Sequence, residues 1–306
     1  YTTFANLKFS YMKYINLSVS IVLIMLMIGC GSGKQLAQKR TNADTYYHLG
    51  NYSEALLAYK AVIEIYESNN NAADCPDYTN AGESALKVGD AKLAVAYLKK
   101  ASNSNFIDES TYFYLAQAYR KIDNLSLEMI ALVNYLEKYT NGKYISAVKQ
   151  RLFYVYVEAD DYERALELWP DVYTDNQNDT LLLEAYFIIN KGLDNTDICN
   201  DVAQQLLDID DENLVALIWF GKQYYYKAED RYRKEMKDYD DHKTNKQYNI
   251  LLNALDIVTA DFKKSLSYFK KIYALEPSKE NANYLSHIYG RLSDEKKETY
   301  YKKLAK

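Results

Sequence analysis

Ten residues, Gly50 to Tyr59 (GNYSEALLAY), set a spacing that the rest of the chain repeats. A small turn residue is followed by an aromatic two positions on, by Ala at plus five and by a second aromatic at plus nine. That pattern suits a tight helix–turn–helix. Gly50 closes one helix in the left-handed conformation that Gly adopts at no steric cost. Tyr52 wedges between the two helices, and Ala55 occupies the point where they approach too closely for a larger side chain. Tyr59 continues the same face one turn further on.

The spacing can be followed along the chain. Repeat 1 runs from about Leu36 to Tyr66, and an Asn69-Asn70-Asn71 break follows. Repeat 2 carries Gly82 and Ala85, the turn Gly89-Asp90-Ala91, then Ala94, Leu98 and Ala101. Repeat 3 carries Leu115, Ala116 and Tyr119, then the turn Asp123-Asn124-Leu125. Its second helix has Glu128 where Ala is expected, which predicts looser packing or a shift of register. Repeat 4 carries Leu152, Phe153 and Tyr156, the turn Asp160-Asp161-Tyr162, then Ala165 and Trp169. Pro170 is expected to end that helix, having no N–H to donate. Repeat 5 is degenerate, pairing Leu181–Lys191 with Ile198–Leu207 across a Gly192–Asn195 turn.

The sixth repeat departs from the spacing. Leu217, Phe220, Gly221 and Tyr224 begin a first helix, but no turn follows on schedule, and the helix is read through to about Asp240. Glu229/Arg233 and Asp230/Lys234, four apart, support its exposed surface. Thr244-Asn245-Lys246-Gln247 then reads as a capping box opening an extra helix, with Tyr248, Leu251, Leu252, Leu255 and Val258 on one face. The second helix proper is expected to resume at Asp261-Phe262 and to stop at Glu276-Pro277. Helices at Ala282–Leu292 and Asp294–Leu304 cap the end, which gives six helix pairs and a partial seventh.

This pattern resembles the tetratricopeptide repeat (TPR), over nearly all of the chain beyond its N-terminal segment. The resemblance implies an all-α fold, a right-handed TPR superhelix built as an α-solenoid of helix–turn–helix pairs, with a helical insertion in the sixth repeat. It also implies a groove for a protein or peptide partner, lined by the first helix of each pair. Carried over position by position, that concave face comprises Asp44 and Tyr47; Glu83 and Lys87; Tyr114, Gln117, Arg120 and Lys121; Arg151 and Tyr154; and Trp219, Lys222, Tyr225 and Tyr226. The Lys/Asn/Arg constellation by which some TPR domains clamp a C-terminal carboxylate is not reproduced.

The N-terminal segment carries a different signal. Residues 1–11 precede the first plausible start, Met12-Lys13, and read as an upstream extension. Residues 12–29 resemble a lipoprotein signal peptide: a positive Lys13, an apolar run from Ser20 to Ile28, then Gly29 before Cys30. The run falls short of the roughly 20 residues of a membrane span. Cys30 is the expected lipidation site, and residues 30–35 form a flexible tether. Gly31, in the place of a retention Asp, points by the same resemblance to the periplasmic face of the outer membrane. The domain reading is then repeats 1–5 and the start of repeat 6 over 36–227, an insertion over 228–260, and the end of repeat 6 with capping helices over 261–306. A second resemblance, of Tyr135–Tyr144 (YLEKYTNGKY) to a turn in outer-membrane assembly lipoproteins of the BamD type, suggests an assembly or secretion subunit as the alternative.

Chemistry is sparse by comparison. The three His residues, His48, His242 and His287, share no ligand spacing, and neither a phosphate loop nor a Ser-centred elbow is present. Paired acids such as Asp160-Asp161 fall at turns, where they cap helices. The expectation is therefore a protein without enzymatic activity, cofactor, metal or small-molecule substrate, and an envelope enzyme is the remote alternative. A net charge of −5 argues against a nucleic-acid partner held by phosphate contacts. Cys199 is read as a buried core thiol and Cys75 as a residue of the loop between repeats 1 and 2, too far apart to form a disulfide. The 33 Tyr residues are read as packing residues with their hydroxyls left at the surface.

Overall fold

The computed structural model describes residues 33–174 and 178–306. Cys30, the signal-like segment 12–29 and residues 1–11 lie outside them. The described residues are helical and contain no strand. Their helices are α1 (33–48), α2 (Tyr52–Ser68), α3 (Tyr78–Lys87), α4 (Ala91–Ser102), α5 (Glu109–Lys121), α6 (Leu125–Lys138) and α7 (Ile145–Glu158), then α8 (Tyr162–Thr174), α9 (Thr180–Gly192), α10 (Thr196–Ile209), α11 (Leu214–Asp241), α12 (Asn245–Leu275), α13 (Lys279–Arg291) and α14 (Glu295–Leu304). They form two compact units that divide within α7, after Val155. Gly33 and Lys34, expected in the tether, lie in the first turn of α1.

One turn recurs between paired helices. Gly50, Gly89, Asp123, Asp160, Asp194 and Ser293 all have φ between +54° and +89°. At each, the turn residue donates its N–H three residues back and its successor donates five residues back, as in Gly50 to Tyr47 and Asn51 to Tyr46. This is the Schellman arrangement, which satisfies carbonyls left open at the helix end. The successor is Asn or Asp in every case, and Asp90, Asn124, Asp161 and Asp294 also accept an N–H from the first turn of the next helix. Two residues thus end one helix and start another. The acid pair Asp160-Asp161 is a cap of this kind. The same turn at Ser293 makes α13/α14 a complete seventh pair where a partial one was expected.

Within the first unit, α3 and α4 approach closely at Gly82, where an added Cβ would collide with Leu98. Ala55 and Ala94, predicted as contact points, are fully buried, as is Tyr59, whose hydroxyl donates to Asp44 at 2.7 Å. Tyr52 meets Tyr47 edge-on, with ring centroids 5.9 Å apart. Glu128 corrects the expectation of looser packing. It is buried and bound at two points by Arg151 of α7, so a charged pair fills the space that Ala would leave. Cys75 is also buried, and burial pushes its thiol up to about 11.

The second unit shows three departures. Helix α8 does not stop at Pro170 but runs on to Thr174. The extra turn is anchored by buried Val172 and by Tyr173, which stacks on Trp169 at 4.7 Å and accepts from Gln205. The extra helix and the expected second helix of repeat 6 are a single 31-residue helix, α12. Its start is as predicted, with Thr244 accepting the Gln247 N–H at 3.1 Å. Asp261, read as a restart, lies mid-helix and buried, with Lys227 Nζ 3.5 Å away. The insertion therefore lengthens both arms of one antiparallel hairpin. Ser265 seals the arms by donating to the Gly221 carbonyl at 2.9 Å. The i,i+4 charge pairs are also replaced: Arg233 binds Asp230, and Glu229 takes a two-point contact from Arg291 of α13. Ala165 and Cys199 are buried as expected.

Candidate functional site

A cavity with a largely apolar wall lies in the second unit, between α9 and α11, the first helices of successive pairs. Its volume is about 650 Å³. Phe187 and Ile188 line it from α9, and Val215, Ile218 and Trp219 from α11. Trp219 is fixed on two sides. Its indole N–H donates to Asn200 at 2.9 Å, and its ring meets Phe187 edge-on at 5.2 Å. A large aromatic held in one orientation is what a binding surface needs to avoid an ordering cost on association.

Polar groups occupy the rim. Lys191 reaches it from the last turn of α9 and Lys222 from α11. Lys222 bonds Glu280 of α13 at 2.9 Å and lies 5.5 Å from the Tyr284 ring centre. Tyr226 is half exposed and shares a 2.9 Å hydroxyl contact with Tyr284. A second, more polar cavity of about 560 Å³ continues between α11 and α13, past Tyr226 to Arg233, His287 and Arg291.

The residues carried over from the sequence divide into two sets. Trp219, Lys222 and Tyr226 come together at the cavity. Tyr225 is buried instead, packed edge-on against Tyr284 at 5.0 Å and facing His287. Burial lifts its hydroxyl above the usual tyrosine value. Phe187, Ile188 and Lys191 of α9 were missed, because repeat 5 reads as degenerate. Leu181 and Ile188, apolar and seven apart on one helix face, were the available signal in the sequence.

In the first unit the carried-over residues are mostly taken up by neighbours in that unit or stand exposed. Glu83 is buried and accepts from Tyr47, and the Tyr114 ring lies 6.3 Å from that of Tyr144. Burial first, and then the neighbouring Glu83 carboxylate, raise the Tyr47 and Tyr114 hydroxyls well above their usual range. Asp44 is taken by Tyr59, and Arg151 by Glu128. Lys87 lies 5.9 Å from the Tyr52 ring centre. Tyr154 is half-buried beside Phe153. Gln117, Arg120 and Lys121 are exposed. Arg120 and Lys121 stand in the last turn of α5, where cations complement the helix dipole.

No group of three or more His, Cys, Asp or Glu among the described residues could hold a metal. No described helix is long and apolar enough to cross a membrane.

Comparison with solved structures bears on the helix pairs themselves. A Bacteroides ovatus protein described as a candidate protein-binding protein superposes with a TM-score of 0.50 at 20% identity, over 71% of this chain and 98% of its own. The fold is a tetratricopeptide-repeat fold. YrrB, described as a TPR protein with an unusual peptide-binding site, aligns at TM-score 0.48 and 15% identity, over 58% of this chain and 88% of its own. A TPR protein from Parabacteroides merdae aligns at TM-score 0.46 and 12% identity, over 88% and 98%. No family model and no curated protein matches the chain. These likenesses are of fold, and the TPR cavity between α9 and α11 rests on this chain's own residues.

Proposed function

We propose that the chain is a non-catalytic scaffold, anchored by lipid at Cys30 to a bacterial envelope membrane, that holds a segment of a partner protein against its first helices. The observation that carries the binding role is the α9/α11 cavity. Its wall is largely apolar, its Trp219 ring is held in place, and it is lined by first helices, which by the TPR resemblance form the partner-binding face. The protein-binding description of the Bacteroides ovatus structure agrees with it. The anchor rests on the sequence pattern that ends at Gly29-Cys30, and the periplasmic face of the outer membrane follows from Gly31.

Two measurements test this reading. Cys30→Ser should move the protein from the membrane to the soluble fraction, and unchanged partition would remove the anchor. A photocrosslinking residue at Ile188 or Tyr226 should capture a partner that the same probe at exposed Lys270 of α12 does not. Equal capture at the three positions would remove the groove. An assembly or secretion subunit is the second reading. It is supported by the Tyr135–Tyr144 turn, which folds so that the Tyr144 N–H donates to the Tyr135 hydroxyl at 2.9 Å.

A further inference from the structure

The charges of the α9/α11 cavity run against those of the chain. The protein carries a net charge of −5, yet the residues lining this cavity include two lysines and no carboxylate. One cation stands on each wall, Lys191 on α9 and Lys222 on α11. Lys191 is exposed and forms no ion pair among the described residues. Lys222 already holds a carboxylate, that of Glu280, which reaches in from α13 and is itself largely exposed. A surface ion pair of this kind contributes little and exchanges readily. Glu280 therefore shows which ligand group the Lys222 position takes, without blocking its replacement. Between the cations the wall is apolar, and it is favourable to cover with apolar side chains.

Resting on the groove reading above, we infer that the occupant is an internal segment of a partner protein in which one or two large apolar side chains are bracketed by Asp or Glu. The apolar side chains seat against Ile188, Ile218 and the Trp219 ring. The flanking carboxylates pair with Lys191 and with Lys222, displacing Glu280. Cations on both walls favour two side-chain carboxylates over the single carboxylate of a chain end. The lysines give direction and selectivity, while the apolar contacts supply most of the affinity.

The test uses the full chain and fluorescence anisotropy with labelled synthetic peptides built on a common Leu-Phe centre. Three are blocked at both ends and flanked by Asp/Glu, by Gln or by Lys; a fourth is Gln-flanked with a free C-terminal carboxylate. The acidic peptide should bind about tenfold more tightly than the Gln-flanked one, and the Lys-flanked peptide more weakly than either. The acidic preference should shrink as salt is added. Lys191→Gln with Lys222→Gln should bring the acidic and Gln-flanked affinities together. Glu280→Gln should tighten the acidic peptide alone by freeing Lys222. Thermal melts confirm that these exposed-site variants fold. Equal binding of acidic and Gln-flanked peptides would overturn the charge inference while the groove reading stands. A free-end peptide that matches the acidic one would overturn the assignment to an internal segment. If no peptide with the apolar centre binds, the inference and the groove reading fall together.

Discussion

Arg151 of α7 grips Glu128 of α6 at two points, Nε to Oε1 at 2.6 Å and Nη2 to Oε2 at 3.0 Å. The two partners differ in access to water, with side-chain exposure of 19% for Arg151 and 2% for Glu128. Removing either one strands the other, and the costs should differ accordingly. Arg151→Ala leaves a buried carboxylate unpaired and should cost about 3–5 kcal/mol. Glu128→Ala restores the residue the repeat expects and leaves an arginine that can reach water, so it should cost about 1–2 kcal/mol. Chemical denaturation of both variants checks the order, and a milder Arg151→Ala would contradict it.

A second buried carboxylate sets a pH dependence. Asp77 is fully buried, with Arg40 Nε on Oδ1 at 2.8 Å and no partner on Oδ2. Burial, only partly offset by Arg40, raises its carboxyl above the ordinary aspartate value. A folded-state value above the unfolded one means that protonation favours the fold. The stabilisation is complete below the unfolded value and is lost as pH rises through the folded one. Glu67 behaves in the opposite sense: the hydrogen bond from Lys100 lowers its carboxyl, so its contribution is present at neutral pH and lost in acid. Asp77→Asn should therefore flatten the stability profile just above the usual carboxylate range. Denaturation midpoints measured across that range in wild type and variant decide the matter, and parallel profiles would refute the sign.

The close contacts between paired helices give a third expectation. Ala94 in α4 and Ala165 in α8 have no exposed surface. Leu at either position should overpack its pair and cost about 1–3 kcal/mol. Stacked repeats depend on their neighbours alone, so hydrogen exchange should speed up mainly around the altered pair. Wild-type melting of both variants would contradict the phasing of the repeats.

The helix pairs were legible because their turns are written locally. Gly50, Gly89 and the Asp-Asn or Asp-Asp pairs specify both the left-handed residue and the cap that follows it. Features made by residues far apart in sequence were not legible. Glu128 looked like a misfit because its partner lies 23 residues away in the next repeat. Asp261 looked like a helix start because a polar residue interrupted the apolar run. The period nevertheless carries through it from Val258 to Phe262, Ser265 and Phe269, all buried. At the cavity, Trp219, Lys222 and Tyr226 of α11 were legible by analogy with the repeat, whereas Val215, Ile218 and Gln223 of the same helix were not. Phe187, Ile188 and Lys191 of α9 were lost because no residue of the degenerate repeat 5 was carried over to the groove.

The long hairpin supports a last prediction. Its proximal part is tied into the second unit by buried Tyr225, Ala228, Val258 and Phe262, and by the two-point contact of Glu229 with Arg291. Its distal part is held mainly by its own arms, through buried Leu251 and Ala254 and a Tyr239–Tyr248 ring contact at 5.8 Å. Ile250, Leu252 and Ile257 of the same stretch stay exposed. Excising residues 234–255 and joining the arms with a short Gly/Ser turn should therefore leave the unit folded. Helical circular dichroism should fall only in proportion to the residues removed, and the melting temperature should change little. Binding at the α9/α11 cavity should persist, since none of its lining residues is removed. A loss of helicity beyond the excised residues would show instead that the distal hairpin holds the unit together.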